Sequence, residues 1–139
     1  MRPLDAAALR ALAAAAPPPG AACATCEPLR CPGWESLPAG FDERLLRPLG
    51  TLRPTLPEGA GPDDLTWAEH HPAGTRTDSP LAPIAPGFHP YNRSDLAACS
   101  ACGRLLLRWT EGGGYFSDAR VRELDAALSV DGGLRVSRY

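Results

Sequence analysis

Residues 99–109, Cys-Ser-Ala-Cys-Gly-Arg-Leu-Leu-Leu-Arg-Trp, join a Cys-x-x-Cys turn directly to an apolar, strand-like run. A second Cys-x-x-Cys pair lies about 70 residues earlier, and two such turns that meet in space supply the four thiolates that Zn²⁺ prefers. The metal would then fasten the two parts of the chain together. The pattern therefore predicts a structural Zn²⁺ site with the ligands Cys23, Cys26, Cys99 and Cys102.

The fifth cysteine, Cys31, leaves the amino-terminal ligand pair open. Zinc spacing allows any two of Cys23, Cys26 and Cys31, and the two-residue gap favours Cys23 with Cys26. Disulfides are a rival interpretation, but an odd number of cysteines without a signal peptide argues against an oxidising compartment. A redox dithiol or an iron–sulfur cluster is a further alternative. A redox Cys-x-x-Cys motif opens a helix, whereas Cys99 precedes a strand-like run.

Length and composition predict one small, irregular domain. The chain has 139 residues, of which 16 are proline and 14 are glycine, and aromatic residues make up only 6%. Such a chain forms long connections and a core with few large side chains, so a structural metal would offset chain entropy that burial alone does not. We expect residues 1–20 to form an Ala/Pro-rich helix or arm, and residues 21–139 to form a single zinc-stabilised domain.

The charge pattern disfavours nucleic acid as a partner. The formal net charge is −2, and arginine supplies all 14 basic residues without forming a basic stripe. The sequence also lacks an apolar run long enough to cross a membrane. We therefore expect a soluble, cytoplasmic protein.

The first two thirds of the chain contain few regular elements. Residues 3–16 predict an alanine-rich helix with Asp5 near its amino end, and residues 41–52 leave room for one short helix. Residues 51–90 form a long proline-rich excursion in which only residues 65–69 resemble a strand. Excursions of this length are often functional, so we expect any binding surface to lie there.

The last third has the clearest pattern. The Cys99 turn leads into a strand over residues 104–110, a turn at 111–114 and a return strand at 115–116, which together predict a zinc-ribbon-like β-hairpin. Ser117 is a suitable cap for a helix over residues 118–128, since Val121, Leu124 and Leu128 recur at helical spacing. Residues 134–136 predict a short final strand. The fold class is therefore α+β: a hairpin, a C-terminal helix and long Pro-rich loops.

Several segments resemble a set of small uncharacterised proteobacterial proteins with a C-terminal Cys-x-x-Cys-Gly, zinc-ribbon-like block. These segments are residues 31–42, 50–52, 71–76, 79–86 in part, 90–93, 99–114 and 120–125. The likeness spans most of the chain from Cys31 onward and leaves out residues 1–30. It implies a bacterial, cytoplasmic protein, carries no known activity, and keeps Cys31 as an alternative zinc ligand.

A catalytic site has weaker support than a binding surface. Histidine beside a carboxylate is the commonest acid–base pairing, so a small hydrolase or redox enzyme using Glu69, His70 and His89 is the alternative function. His71 is also near, but adjacent strand residues point to opposite faces, so only one of His70 and His71 would face a given site. A zinc ion held by four thiolates has no open position for water.

The favoured function is a zinc-stabilised protein-interaction module of bacterial origin, either an adaptor or an immunity-type partner protein. Its zinc site would hold a platform, and the excursion would present a face for a protein partner. Aromatic and arginine side chains are enriched at interface hot spots. The expected anchors are Trp67, His71, Phe88, Tyr91 and Arg93.

Overall fold

The computed structural model describes residues 2–113 and 115–131. It contains one α-helix, α1 (Ala6–Ala14), and five strands, β1 (Glu35–Ser36), β2 (Leu46–Thr51), β3 (Asp95–Cys99), β4 (Leu105–Gly113) and β5 (Phe116–Glu123). The strands form one antiparallel sheet in the order β1-β5-β4-β3-β2. The α+β prediction is confirmed.

Hairpin pairing builds the sheet from its centre. β4 pairs with β5 from Leu106–Glu123 to Gly113–Phe116, and with β3 from Ala98–Leu105 to Asp95–Arg108. The Cys-x-x-Cys turn therefore connects β3 to β4. Both faces of the sheet are covered, since alternate strand residues enter two hydrophobic clusters. One cluster contains Leu96, Leu107 and Leu124, and the other contains Ala97, Leu106 and Val121.

The predicted amino-terminal helix is present and packs on the core. Asp5 caps it by accepting a 2.8 Å hydrogen bond from the backbone N–H of Ala8. Leu9 is fully buried in the first cluster, where Leu4 also packs. The segment before the helix runs along the outer edge of β2, where the N–H of Leu4 donates to the carbonyl of Thr51 at 2.9 Å. Hydrogen bonds and burial thus both hold this end of the chain to the sheet.

The predicted helix over residues 118–128 is wrong. β5 occupies most of this segment, and only a 3₁₀ turn, Ala126–Leu128, follows it. Val121 and Leu124 fit a helix by spacing, but β4 offers an antiparallel partner for every residue of β5. Cross-strand packing therefore outweighs the helical pattern.

Two smaller predictions also differ from the structure. Residues 41–52 contain a single 3₁₀ turn, Glu43–Leu45, followed by β2, which pairs with β3. Pro48 is compatible with β2 because this strand lies at the edge of the sheet. Residues 65–69 form no strand. The strand predicted for residues 134–136 lies outside the described residues.

None of the helices in the described ranges has the length and apolar character needed to cross a membrane.

Candidate metal site and neighbouring cleft

The second cysteine pair is shaped by the turn between β3 and β4. Cys99 ends β3, and its carbonyl accepts a 2.8 Å hydrogen bond from the N–H of Gly103. Gly103 has a φ of +84°, a conformation that favours glycine. The backbone N–H of Arg104 then points to the sulfur of Cys102 at 3.4 Å. This turn places both sulfurs on the same side and gives one of them an N–H donor.

The first cysteine pair precedes a 3₁₀ turn, Glu27–Leu29. The N–H of Leu29 donates to the carbonyl of Cys26 at 2.8 Å, and the side chain of Leu29 is fully buried. The backbone of the first pair is therefore anchored by the second hydrophobic cluster, to which Leu29 belongs. The sheet anchors the second pair, so both halves of the site are positioned by the fold.

The four cysteines could hold a metal ion. Their sulfur atoms all lie within 4.8 Å of one another. The separation is 4.0 Å between Cys23 and Cys99 and 3.7 Å between Cys26 and Cys102. Metal–sulfur bonds of about 2.3 Å at tetrahedral angles place sulfurs about 3.8 Å apart, whereas a disulfide brings them to about 2.0 Å. These separations fit tetrahedral thiolate ligands and not disulfides.

Proton affinities in the cluster show why it suits a cation. The backbone N–H of Cys26, despite opposing desolvation, lowers the pKa of Cys23 to about 6. Burial raises the pKa of Cys26 to about 12, with the neighbouring thiols adding to the effect. Burial also raises the pKa of Cys102. Four adjacent thiolates need positive charge among them, so a bound cation would displace the remaining protons.

A buried ion pair connects the two halves of the site. Arg104 and Glu123 are almost fully buried and form a salt bridge with each other. The guanidinium of Arg104 also donates to the carbonyls of Cys26 at 2.8 Å and Leu29 at 3.1 Å. Its positive charge favours the thiolate of Cys26. Arg104 was not predicted as a site residue, although its place directly after Cys-x-x-Cys-Gly was the available sequence signal.

Cys31 lies outside the cluster. It is only 2% exposed and packs with Leu46, Ala97, Leu106 and Val121 against one face of the sheet. Desolvation raises the pKa of its thiol to about 11, and its sulfur is not among the four that lie within 4.8 Å of one another. Its carbonyl accepts a 2.8 Å hydrogen bond from the backbone N–H of Glu123. The geometry gathers the other four cysteines and gives Cys31 a packing role.

A cleft of about 530 Å³ lies between the proline-rich excursion and the β4–β5 hairpin. Glu69 and His71 line it from the excursion, and Trp109, Glu111 and Arg120 line it from the hairpin. The ring of His71 hydrogen-bonds at 2.8 Å to Glu69 and at 2.8 Å to Thr75, and Thr77 also donates to Glu69. The residues of this cleft thus form an ordered polar chain.

The three polar residues expected for an enzyme are divided between two places. Glu69 and His89 both line the cleft, whereas His70 stacks on Phe88 with ring centroids 4.9 Å apart and is not among the lining residues. Burial and the charge of Arg93 lower the pKa of His89. The histidine that contacts Glu69 is instead His71. The alternation rule for strands did not identify which of His70 and His71 faces the cleft, because this segment does not form a strand.

The expected interface anchors also differ in exposure. Trp67 is 56% exposed, and the guanidinium carbon of Arg93 lies 3.6 Å from the centre of its ring. Tyr91 is buried, so its role as a surface anchor is wrong. Its hydroxyl accepts hydrogen bonds from Trp34 and from Arg122. Because both partners bind its hydroxyl, Tyr91 is buried without an unsatisfied polar group.

Arg122 is a second fully buried guanidinium that sequence analysis missed. It donates to the carbonyls of Pro32 at 3.0 Å, Ala82 at 2.9 Å and Pro80 at 3.3 Å, as well as to Tyr91. These bonds tie three loop segments to β5. A single sequence offers no signal for this role, since Arg122 resembles an exposed strand residue.

A groove of about 440 Å³ crosses the sheet where β3 begins. The β3–β4 ladder ends at the pair Asp95–Arg108, while β4 continues to Gly113. The carbonyl of Arg104 points towards β3 and accepts a hydrogen bond from the N–H of Cys99. The carbonyl of Leu105 points the opposite way, towards β5, and accepts a hydrogen bond from the N–H of Leu124. Backbone groups of successive strand residues point alternately to the two sides, so those of Thr110 point to the same side as those of Arg104. Because β3 does not extend this far, they face the groove.

No protein-family model, no curated protein and no solved structure matches this chain.

Proposed function

We propose that the metal is Zn²⁺ and that the protein is a zinc-stabilised interaction module of bacterial origin, an adaptor or immunity-type partner protein of the cytoplasm. Among the described residues, the close group of possible ligand atoms consists of four cysteine sulfurs, which favours Zn²⁺ over hard cations such as Mg²⁺ and Ca²⁺. Because all four positions are filled by thiolates, the ion is structural. Separations too long for disulfides favour a reducing compartment.

The open edge of β4 carries the proposed interaction. Its outward N–H and C=O groups at Thr110 are suited to an added strand from a partner, since sheet edges pair readily with extended segments. Natural proteins usually protect such an edge with a bulge, a proline or a covering loop. Here a groove of about 440 Å³ accompanies the edge instead.

Arg93 and Trp67 flank this edge. Arg93 lines the groove and donates to the carbonyls of Pro62, Leu65 and Thr66 at 3.0–3.1 Å, which fixes its position. Its guanidinium covers one face of Trp67, most of which stays exposed to solvent. Rigid aromatic and arginine side chains are the commonest hot spots of protein interfaces. These two expected anchors therefore fit the proposed binding surface.

The groove favours an acidic partner segment. Its lining includes one carboxylate, that of Asp95, and the guanidinium groups of Arg53, Arg93, Arg108 and Arg120. Arg53 pairs with Asp95 at 3.0 Å, and Arg108 and Arg120 reach Glu43 and Glu111, which lie outside the groove. Arg93 instead donates to uncharged carbonyl groups. Within the part of the chain that the structure describes, Arg93 is thus the groove cation that forms no salt bridge with a carboxylate, so its charge is the one that attracts an acidic partner segment.

Two groove variants and one matched control test this function. Thr110→Pro removes an outward N–H and blocks strand addition, and Trp67→Ala removes the flanking aromatic ring. Leu81→Ala is the control, because Leu81 is 71% exposed on the same excursion but neither lines the groove nor stacks with the groove residue Arg93, as Trp67 does. We expect the partner recovered from the native host with the unaltered protein to be lost with both groove variants and kept with the control. Equal recovery with all three variants, at unchanged melting temperature, would contradict the proposal.

A further inference from the structure

Three side chains in the cleft form a continuous hydrogen-bonded chain, Thr75–His71–Glu69. One ring nitrogen of His71 lies 2.8 Å from the hydroxyl of Thr75, and the other lies 2.8 Å from the carboxylate of Glu69. The side chain of His71 is 20% exposed and that of Glu69 is 34% exposed, so the chain is partly shielded yet reachable. All three residues line the cleft.

The direction of hydrogen bonding follows from the charge on Glu69. Burial raises the pKa of this carboxyl, but hydrogen bonds from Thr77 and His71 outweigh it and leave the pKa below its usual value. An ionised carboxylate only accepts, so Nε2 of His71 carries the proton that faces it. Nδ1 of His71 is then an acceptor, and the hydroxyl of Thr75 must donate to it. This orientation is the one in which an imidazole acts as a base towards a hydroxyl.

From this geometry we propose that the cleft is an esterase site, with Thr75 as nucleophile, His71 as general base and Glu69 as the residue that positions the imidazole. The oxygen of Thr75 attacks the carbonyl carbon of an ester while Nδ1 of His71 takes the hydroxyl proton. The bond from that carbon to the alkoxy oxygen breaks, and His71 returns the proton to the leaving alcohol. Water, deprotonated by His71, then attacks the acyl-threonine, which releases the carboxylic acid and restores the Thr75 hydroxyl.

The surrounding side chains define the substrate class. Arg76 and Arg120 line the same cleft, where Arg76 pairs with Asp78 and Arg120 with Glu111 and Asp118, and their guanidinium N–H groups are the donors that the cleft offers to the oxyanion that forms on attack. Trp109 offers an apolar wall for the acyl or alcohol group. The volume of about 530 Å³ suits a small molecule and not a folded chain. The site therefore fits an uncharged ester of a small carboxylic acid.

Hydrolysis of p-nitrophenyl acetate and p-nitrophenyl butyrate by the full, metal-loaded chain tests the site. We expect Thr75→Val and His71→Gln to lower kcat/KM by at least about 10²-fold, the usual contribution of an acid–base group, and Thr75→Ser to retain activity. Matched controls are Thr55→Val, an exposed threonine outside the cleft, and His70→Gln, the neighbouring histidine that contacts Phe88. Both controls should keep the activity of the unaltered protein.

Two further measurements separate catalysis from simple folding or surface reactivity. Rapid quenching followed by peptide mass spectrometry should find the acyl group on Thr75 in the unaltered protein. Glu69→Gln should lower kcat with little change in KM, and Glu69→Asp should restore part of it. Acylation confined to other residues, or equal losses in His70→Gln and His71→Gln, would overturn the proposal. So would a Thr75→Val protein with full activity.

Discussion

The guanidinium of Arg104 donates a 2.8 Å hydrogen bond to the backbone carbonyl of Cys26. The two residues are 78 positions apart in the sequence. Cys26 belongs to the first cysteine pair, and Arg104 follows the second pair by two residues. The same guanidinium forms a buried salt bridge with Glu123 of β5. The two cysteine pairs that could hold a metal ion are therefore held near each other by protein contacts around Arg104.

Replacement of Arg104 should destabilise the protein strongly. Arg104→Met leaves the buried carboxylate of Glu123 without its cation, and breaking such a pair costs about 3–5 kcal/mol in free energy of unfolding. The double variant Arg104→Met/Glu123→Leu should recover part of that loss, since it removes both charges. Urea unfolding of the three proteins measures the effect. A single variant as stable as the parent would show that the pair contributes nothing.

The five cysteines should divide into four ligands and one core residue. Cys102→Ser is expected to lose the metal and most of the folded structure, because a structural ion supplies folding free energy directly. Cys31→Ser is expected to keep the metal and lose about 1–3 kcal/mol of stability through a buried hydroxyl. Metal content and circular dichroism distinguish the two. Loss of metal in Cys31→Ser would reverse the assignment.

A pair of strand glycines tests how the amino-terminal segment docks. A Cβ on Gly50 of β2 would lie 2.6 Å from the carbonyl oxygen of Arg2 and within 3 Å of Leu4, whereas a Cβ on Gly112 of β4 meets nothing within 4 Å. We expect Gly50→Ala to lower the melting temperature by several degrees and Gly112→Ala to leave it nearly unchanged. Similar melting temperatures for the two variants would mean that residues 2–4 do not pack on β2.

Stability should fall on mild acidification because of His89. Burial and the charge of Arg93 lower the pKa of His89 in the folded protein, while Glu69 and Glu111 oppose this effect only in part. Below about pH 6.5 the unfolded chain therefore binds a proton that the folded chain does not, so the free energy of unfolding decreases as the pH falls, by at most about 1.4 kcal/mol per pH unit.

The variant His89→Gln isolates this contribution. It should depend less on pH than the parent between pH 7.5 and 5.5, and urea unfolding in the same zinc-containing buffer cancels the common response of the cysteines. Parallel curves for the two proteins would show that His89 does not titrate differently on folding.

Local patterns predicted the elements that depend on local chemistry. The Cys-x-x-Cys-Gly spacing predicted the turn at Cys99. A tight turn brings the two thiols to one side, and the glycine that follows adopts the positive φ of that turn. The alanine-rich segment predicted α1, whose cap at Asp5 is local too. The α+β class was predicted from a hairpin and a C-terminal helix, and it is correct although that helix is not present, because α1 and the five-stranded sheet supply both kinds of element.

Other parts depended on contacts that a single sequence does not display. β5 is buried on both faces over residues 121–123, including Arg122 and Glu123, so it shows no alternation of apolar and polar residues there. Its strand character comes from β4. The cleft likewise brings Glu69 and His71 near Trp109, which lies on a strand more than 30 residues away. Contacts between residues so far apart in the sequence follow from the sheet topology and not from local spacing.

The identity and amount of bound metal test the central claim most directly. Native mass spectrometry and elemental analysis should be made on protein purified without added metal, and circular dichroism should follow titration with a zinc chelator. We predict one Zn²⁺ per chain, with loss of folded structure on its removal. Protein that is fully folded without metal, or that contains iron in place of zinc, would contradict the claim that a structural zinc ion joins Cys23 and Cys26 to Cys99 and Cys102.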